Sequence, residues 1–268
     1  MASPLLIEIN TRCRLREKSR RLGRKVILAG VTAAEIQRWR KTGFTHVWLM
    51  GVWTNGPRAR KHSLESPGLR DAYDRALPGW TEEDVAGSPY AVAGYEVAPE
   101  LGGTKALLAF RKKLNGAGLK LILDFVPNHV GLDHPWVTAH PERFVQADTI
   151  DVESFIGGSA EYPVRLCHGR DPYFEPWLDT AQLDLRREDT RSAVLEDLLS
   201  VAELCDGVRC DMAMLLLSEI FAETWRHHAV RGKETKGEFW PVAISTVRRR
   251  FPEFLFIAEA YWNREEEL

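Results

Sequence analysis

The sequence predicts an α/β protein whose core is a parallel sheet of the kind closed into (β/α)8 barrels. Three stretches carry the prediction. In Asp206-Gly-Val-Arg-Cys-Asp211, apolar Val208 and Cys210 alternate with charged Arg209 and Asp211. In Leu121-Ile-Leu-Asp-Phe-Val-Pro-Asn-His129, three aliphatic residues lead into Asp124, and Pro127-Asn128-His129 stop the strand. In Phe254-Leu-Phe-Ile-Ala-Glu-Ala-Tyr-Trp262, an apolar run leads into Glu259. Strands buried on both faces read as near-continuous apolar runs. Barrels collect their chemistry at the carboxyl ends of such strands.

The remaining elements follow in order. Leu5 to Asn10 predicts the first strand. The basic run Arg12 to Lys25 reads as a solvated loop rather than a polyanion site. Thr32 is a candidate helix cap with Glu35 completing a capping box, Ile36 and Trp39 keep helical spacing, and Gly43 closes the helix. Thr45 to Val52 predicts the second strand, so a β-α-β unit with parallel strands opens the chain. Trp53 to Pro89, rich in proline and glycine, reads as a long connection of the functional kind. Thr104 to Gly118 predicts a helix, and the third strand ends at Asp124.

Residues from Val130 to about Thr180 carry many turn residues together with Trp136, Phe144, Phe155, Tyr162, Tyr173, Phe174 and Trp177. This composition suits a small side domain over the barrel mouth. The expected organisation is a first barrel part at 1–129, an insertion at 130–180, and further barrel strands and helices at 181–268. A helix starts at Asp189 or Thr190, a strand spans Gly207 to Asp211, and a helix spans Met212 to Val230. Glu219, Glu223 and His227, four apart, read as a solvated face rather than a metal site. Trp240 to Arg250 predicts the next helix, and the fifth strand ends at Glu259.

Composition narrows the function class. The chain has 268 residues, 44% of them hydrophobic, and a net charge of −2. That supports one sizeable core and gives no reason to expect a nucleic-acid partner. Cys13, Cys167, Cys205 and Cys210 lack metal-ligand spacing and do not suggest a disulfide framework. No leader and no membrane-length apolar run is visible, so a cytoplasmic protein without a membrane partner is expected.

Charge placement narrows it further. An ion pair within one strand holds Asp211 ionised beside Arg209, as a nucleophile needs, although a purely structural pair has the same appearance. The three stretches together resemble the first three conserved regions of the alpha-amylase family, glycoside hydrolase family 13. Asp124, Val126, Asn128 and His129 match region one, Gly207, Arg209 and Asp211 match region two, and Glu259 matches region three. The resemblance runs from about Leu5 to the end of the chain. It implies a (β/α)8 barrel with a domain B at the insertion, and an α-glucan or malto-oligosaccharide substrate. It further implies Asp211 as nucleophile and Glu259 as general acid/base, kept neutral by its apolar strand. Asp124, His129 and Arg209 are implied at the cleaved sugar, with Tyr90 stacked beneath it. Gly94 departs from the family, which more often has aspartate there.

The family also has a calcium site that includes the region-one asparagine, here Asn128, and a histidine four residues after the nucleophile. That position is Leu215, which cannot ligate a hard cation, so no cofactor is expected to be required. The family's third carboxylate, from a His-Asp pair, is expected beyond Leu268 together with the remaining strands. The chain therefore reads as the N-terminal part of a longer enzyme. The leading expectation is a retaining hydrolase of the alpha-amylase type. The alternative is a transglycosylase, such as a maltosyltransferase or trehalose-forming enzyme, because Asp133-His-Pro-Trp-Val137 and His140-Pro-Glu-Arg-Phe144 resemble maltosyltransferase segments. An inactive fragment or a non-catalytic homologue is the third reading, and the presence of both acids counts against the non-catalytic homologue.

Overall fold

The computed structural model describes residues 4–149 and 153–268. Strand β1 (Leu6–Asn10) passes without a loop into α1 (Thr11–Leu22). Asn10 accepts the Cys13 N–H, and Gly23, at φ 61°, ends the helix. The basic run is thus a helix and not a solvated loop. Its charges had obscured an apolar and packable side, where Leu15 is buried and Lys18 is buried against Glu35. Helix α2 (Ala33–Lys41) starts at Thr32, whose Oγ1 accepts the Glu35 N–H at 3.3 Å. The expected capping box is replaced by ion pairs, because the Glu35 carboxylate turns to Lys18 and Arg14.

After β2 (His46–Met50), the stretch expected to be a long loop holds β3 (Trp53–Asn55), α3 (Pro57–Glu65) and α4 (Pro67–Ala76). The prolines that suggested a loop occupy first-turn positions of the two helices. There the missing N–H costs nothing and the fixed φ favours helix. Strand β4 (Val92–Val97) pairs antiparallel with β3. Helix α5 (Gly103–Gly116) and β5 (Lys120–Phe125) follow as expected.

The insertion leaves and returns on one antiparallel pair, β6 (His129–Gly131) and β9 (Thr180–Gln182), with His129 opposite Gln182. Between them lie α6 (Pro135–Ala139) and the hairpin β7 (Ser154–Gly158) and β8 (Pro163–Cys167). Helix α7 (Glu188–Leu204) leads to β10 (Gly207–Cys210). The helix expected over Met212 to Val230 is shorter. Met212 takes φ 45°, a 3-10 turn spans Ala213–Leu216, and α8 covers only Ser218–Thr224. The run Met214, Leu215, Leu217, Ile220 is buried as its own cluster, so this segment folds to cover apolar side chains rather than to continue one helical face. His227 lies past the end of α8. Among the described residues no group of three or more His, Cys, Asp or Glu is placed to hold a metal ion. Helix α9 (Phe239–Arg250) and β11 (Leu255–Ala258) complete the fold.

Five strands form one sheet in the order β1-β2-β5-β10-β11, each parallel to its neighbour. Strands that neighbour one another in chain order, with helices between, are the arrangement of a (β/α)8 barrel, here incomplete at five strands. The two-residue period splits the sheet. Val47, Leu49, Leu121, Leu123, Val208 and Cys210 face the helices and are buried with Leu107 and Phe110 of α5 and Leu198 and Val201 of α7. The register pairs Trp48 with Ile122, Arg209 with Asp124 and Arg209 with Ile257. Trp48, Asp124, Arg209 and Ile257 therefore share the opposite, interior face. Asp211 and Glu259, two residues beyond Arg209 and Ile257, project to that side as well. Among the described residues no helix is long and apolar enough to cross a membrane.

Candidate active site

Arg209 is the centre of the interior face. Its Nη1 lies 2.6 Å from Asp211 Oδ1 and 3.7 Å from Asp124 Oδ1, and its Nη2 pairs with Glu259 Oε1. The guanidinium carbon sits 5.2 Å from the Trp48 ring centroid and 5.0 Å from that of Tyr90. One cation thus serves three carboxylates between two aromatic rings. A delocalised, always-charged guanidinium suits this, because its donors diverge in a plane while its faces rest on rings.

The three carboxylates differ in environment. Asp211 is buried, and burial pushes its carboxyl up, Arg209 pulls it back, and Glu259 adds to the rise. The expectation that Arg209 simply holds Asp211 ionised is therefore too narrow, because the same guanidinium is shared. Glu259 was expected in an apolar setting. Instead it accepts from Arg209 and from the Tyr261 hydroxyl at 2.8 Å on Oε1, and from the Met212 N–H at 2.8 Å on Oε2. The left-handed backbone at Met212 aims that N–H. Such a conformation in a non-glycine residue is a local strain of the kind found at functional sites.

Asp124 is 1% exposed and accepts from Trp48 Nε1 at 3.1 Å and from the Gly51 N–H at 3.3 Å. Burial pushes its carboxyl up to about 7, with Arg209 pulling the other way. Its oxygens face protein donors, so the expected direct contact with sugar hydroxyls is not the arrangement found. Asp124 and Arg209 lie under the cavity floor and hold the groups that line it.

That cavity has a volume of about 700 Å³, within the range of small-molecule sites. Asp211, Met212 and Glu259 line it together with Tyr90 and His129. Its walls come from α3 and α4 (His62, Ser63, Ser66, Tyr73) and from the returning end of the insertion (Trp177 to Thr180). His129 is buried, packs 4.9 Å from the Trp177 ring, and bonds to the Tyr90 backbone. Burial pushes its imidazole down to about 4, so it is neutral near pH 7. Asp179 is pushed up by burial and eased down by His62 across the cavity.

The donors around Asn128 do not fit a hard cation. Its Oδ1 accepts from Gln182 Nε2 at 3.1 Å, and its Nδ2 contacts Gln182 Oε1 and His129 Nδ1, both at 3.3 Å. Leu215 is buried among Met214, Leu217 and Ile220. An amide pair and an apolar cluster take the places that carboxylates and waters would fill.

The structure brings Asp211, Glu259, Tyr90 and His129 to one cavity and sets Asp124 and Arg209 directly beneath them. Reading the residues in order missed Trp177, His62, Met212, Trp48 and Tyr261. Trp177, one of several aromatics clustered in the insertion, and Tyr261, just beyond Glu259, carried a signal.

Residues 28–154 match the family model described as the alpha-amylase catalytic domain. The chain is 28% identical over 235 residues to the alpha-1,4-glucan:maltose-1-phosphate maltosyltransferase of Rhodospirillum rubrum, covering 85% of this chain and 28% of that protein. It is 29% identical over 119 residues to the alpha-amylase MalA of Haloarcula japonica, covering 44% of this chain and 16% of that protein. An alpha-amylase from Lactobacillus plantarum superposes with a TM-score of 0.61 at 23% identity, over 96% of this chain and 45% of the other. A maltogenic alpha-amylase, AmyB, from Thermotoga neapolitana gives a TM-score of 0.61 at 18% identity. Likeness at these identities bears on the fold. The chain spans less than a third of each of the two sequence relatives.

Proposed function

We propose that the chain is a member of the alpha-amylase family and carries the retaining glycosidase chemistry of an enzyme acting on α-glucans, a reading supported by the family-model match at residues 28–154 and by the relatives above. One observation carries the reading: Asp211 and Glu259, held on a single guanidinium, meet at the floor of a cavity rimmed by Tyr90, His129 and Trp177. Retention needs two carboxyl groups flanking one glycosidic bond. Asp211 attacks the anomeric carbon while protonated Glu259 gives its proton to the departing oxygen, and a covalent glycosyl ester forms. In the second step Glu259 takes a proton from the acceptor hydroxyl, whose oxygen displaces Asp211. The tyrosine ring of Tyr90 and the indole of Trp177 supply apolar faces on which sugar rings pack. In the free site Glu259 takes two donors on Oε1 and only the Met212 N–H on Oε2, which keeps a lone pair for the proton. The exposed Tyr261 hydroxyl is the donor that a leaving sugar displaces to reach it.

Water as acceptor gives hydrolysis, and a sugar hydroxyl gives transfer. Maltosyl transfer is the second reading, favoured by the match to the R. rubrum maltosyltransferase along 85% of this chain. Incubation with maltoheptaose, and separately with maltose-1-phosphate plus glycogen, distinguishes the two by free maltose or lengthened chains. Azide then assigns the acids. Asp211→Gly with azide yields the inverted glycosyl azide, whereas Glu259→Ala with azide yields the retained one. Turnover by Asp211→Asn near the wild-type rate would overturn the proposal.

A further inference from the structure

Trp48 belongs to no motif, yet it touches two members of the charge cluster at once. Its indole Nε1 donates to Asp124 Oδ1 at 3.1 Å. That same oxygen is the one lying 3.7 Å from Arg209 Nη1. Its ring face sits 5.2 Å from the Arg209 guanidinium carbon. Trp48 reaches both because β2 is next to β5 and β5 is next to β10, and all three side chains share the interior face.

A guanidinium beside three carboxylates has a choice of partners. Two features set the outcome seen, in which Asp211 is bonded at 2.6 Å and Asp124 is left at 3.7 Å. An oxygen already receiving an N–H has less unsatisfied acceptor capacity to offer a cation. A cation on an aromatic face is also held in place laterally. We propose that Trp48 is a positioning residue that leaves Arg209 to Asp211 and Glu259, by occupying the Asp124 oxygen nearest the guanidinium and carrying the guanidinium on its ring. The idea concerns the charge cluster alone and stands or falls independently of the α-glucan reading.

The groups facing this cluster are Arg209, Asp211, Glu259 and Tyr90, with Tyr95 and Cys210 nearby. The test is a carbon-13 titration of aspartate carboxyls in the full chain, which needs no substrate. In Trp48→Phe the ring stays and the N–H is lost. Asp124 loses one donor and draws the guanidinium in its place, so the Asp211 midpoint rises by about one pH unit, the scale of one hydrogen bond to the charged form. The rise in the Asp211 midpoint is absent when Trp48→Phe is made together with Asp124→Asn, which leaves no charge to draw the guanidinium. Trp48→Gln keeps a neutral N–H donor and leaves the Asp211 midpoint near its original value, which serves equally if Trp48→Phe fails to fold. An unchanged Asp211 midpoint in Trp48→Phe, or a shift in Trp48→Gln as large as in Trp48→Phe, overturns the proposal.

Discussion

Asp124→Asn is predicted to reverse its effect on stability between acid and alkaline pH. In the folded chain Asp124 is 1% exposed, and burial raises its carboxyl from 3.8 to about 7. The folded state therefore holds this proton more tightly than the unfolded state. Its contribution to stability is complete below about pH 4 and is lost as pH rises through 7. Over that window the loss amounts to about 4 kcal/mol. Asparagine has the same shape and no charge. Its oxygen can still accept from Trp48, but its amide then meets the Gly51 N–H, and one hydrogen bond worth about 1 kcal/mol disappears. The variant should be about 1 kcal/mol less stable than wild type at pH 3, about equal to it near pH 4.5, and about 3 kcal/mol more stable at pH 8.5. Urea unfolding followed by tryptophan fluorescence across that range measures the difference, and the comparison cancels every other titrating group. A difference that does not change with pH, or a variant that loses ground as pH rises, would refute the reasoning. The second outcome would mean that Arg209 outweighs burial.

Three further outcomes follow from local packing and charge. In Glu35→Gln, the buried Lys18 loses its counter-charge, and unfolding free energy should fall by about 3 kcal/mol in the same urea assay. In Gly131→Ala, the new Cβ would lie 2.6 Å from the Ala91 carbonyl oxygen, so backbone must shift next to the cavity. A loss of about 1–3 kcal/mol is expected there, and a neutral result would show that the β6 edge is loose. Dialysis against a chelator should leave the melting temperature unchanged, because Gln182 and Leu215 occupy the positions a calcium site would need. A fall of several degrees, restored by calcium, would contradict that account.

Much of the fold was legible because it depends on local periodicity. Alternation in Gly207 to Asp211 separates Val208 and Cys210 from Arg209 and Asp211 under any strand assignment, since neighbouring side chains point to opposite faces. The apolar runs before Asp124 and Glu259 announce buried parallel strands for the same reason. Errors fell where a residue type has two opposite uses. Pro57 and Pro67 break helices from inside but start them at the first turn, and position within the element decides which. The charges of α1 suggested solvent, whereas Lys18 is buried because Glu35, seventeen residues away, comes to meet it.

The chain's own order of residues was thus enough to establish five parallel strands in sequence, the acids at the ends of two of them, and the type of chemistry those acids perform in the family they resemble. It could not establish how one cation is divided. That division rests on register between β2, β5 and β10, which brings Trp48 to Asp124 and Arg209, and on the turn at Met212, which aims an N–H at Glu259. Nor could it show that Asp124 lies below the cavity, or that α3, α4 and Trp177 wall it. Periodicity reports which way a side chain points within its own element. Burial, shared hydrogen bonds and the resulting proton affinities arise only when distant elements pack together, because desolvation and Coulomb attraction act through space and not along the chain.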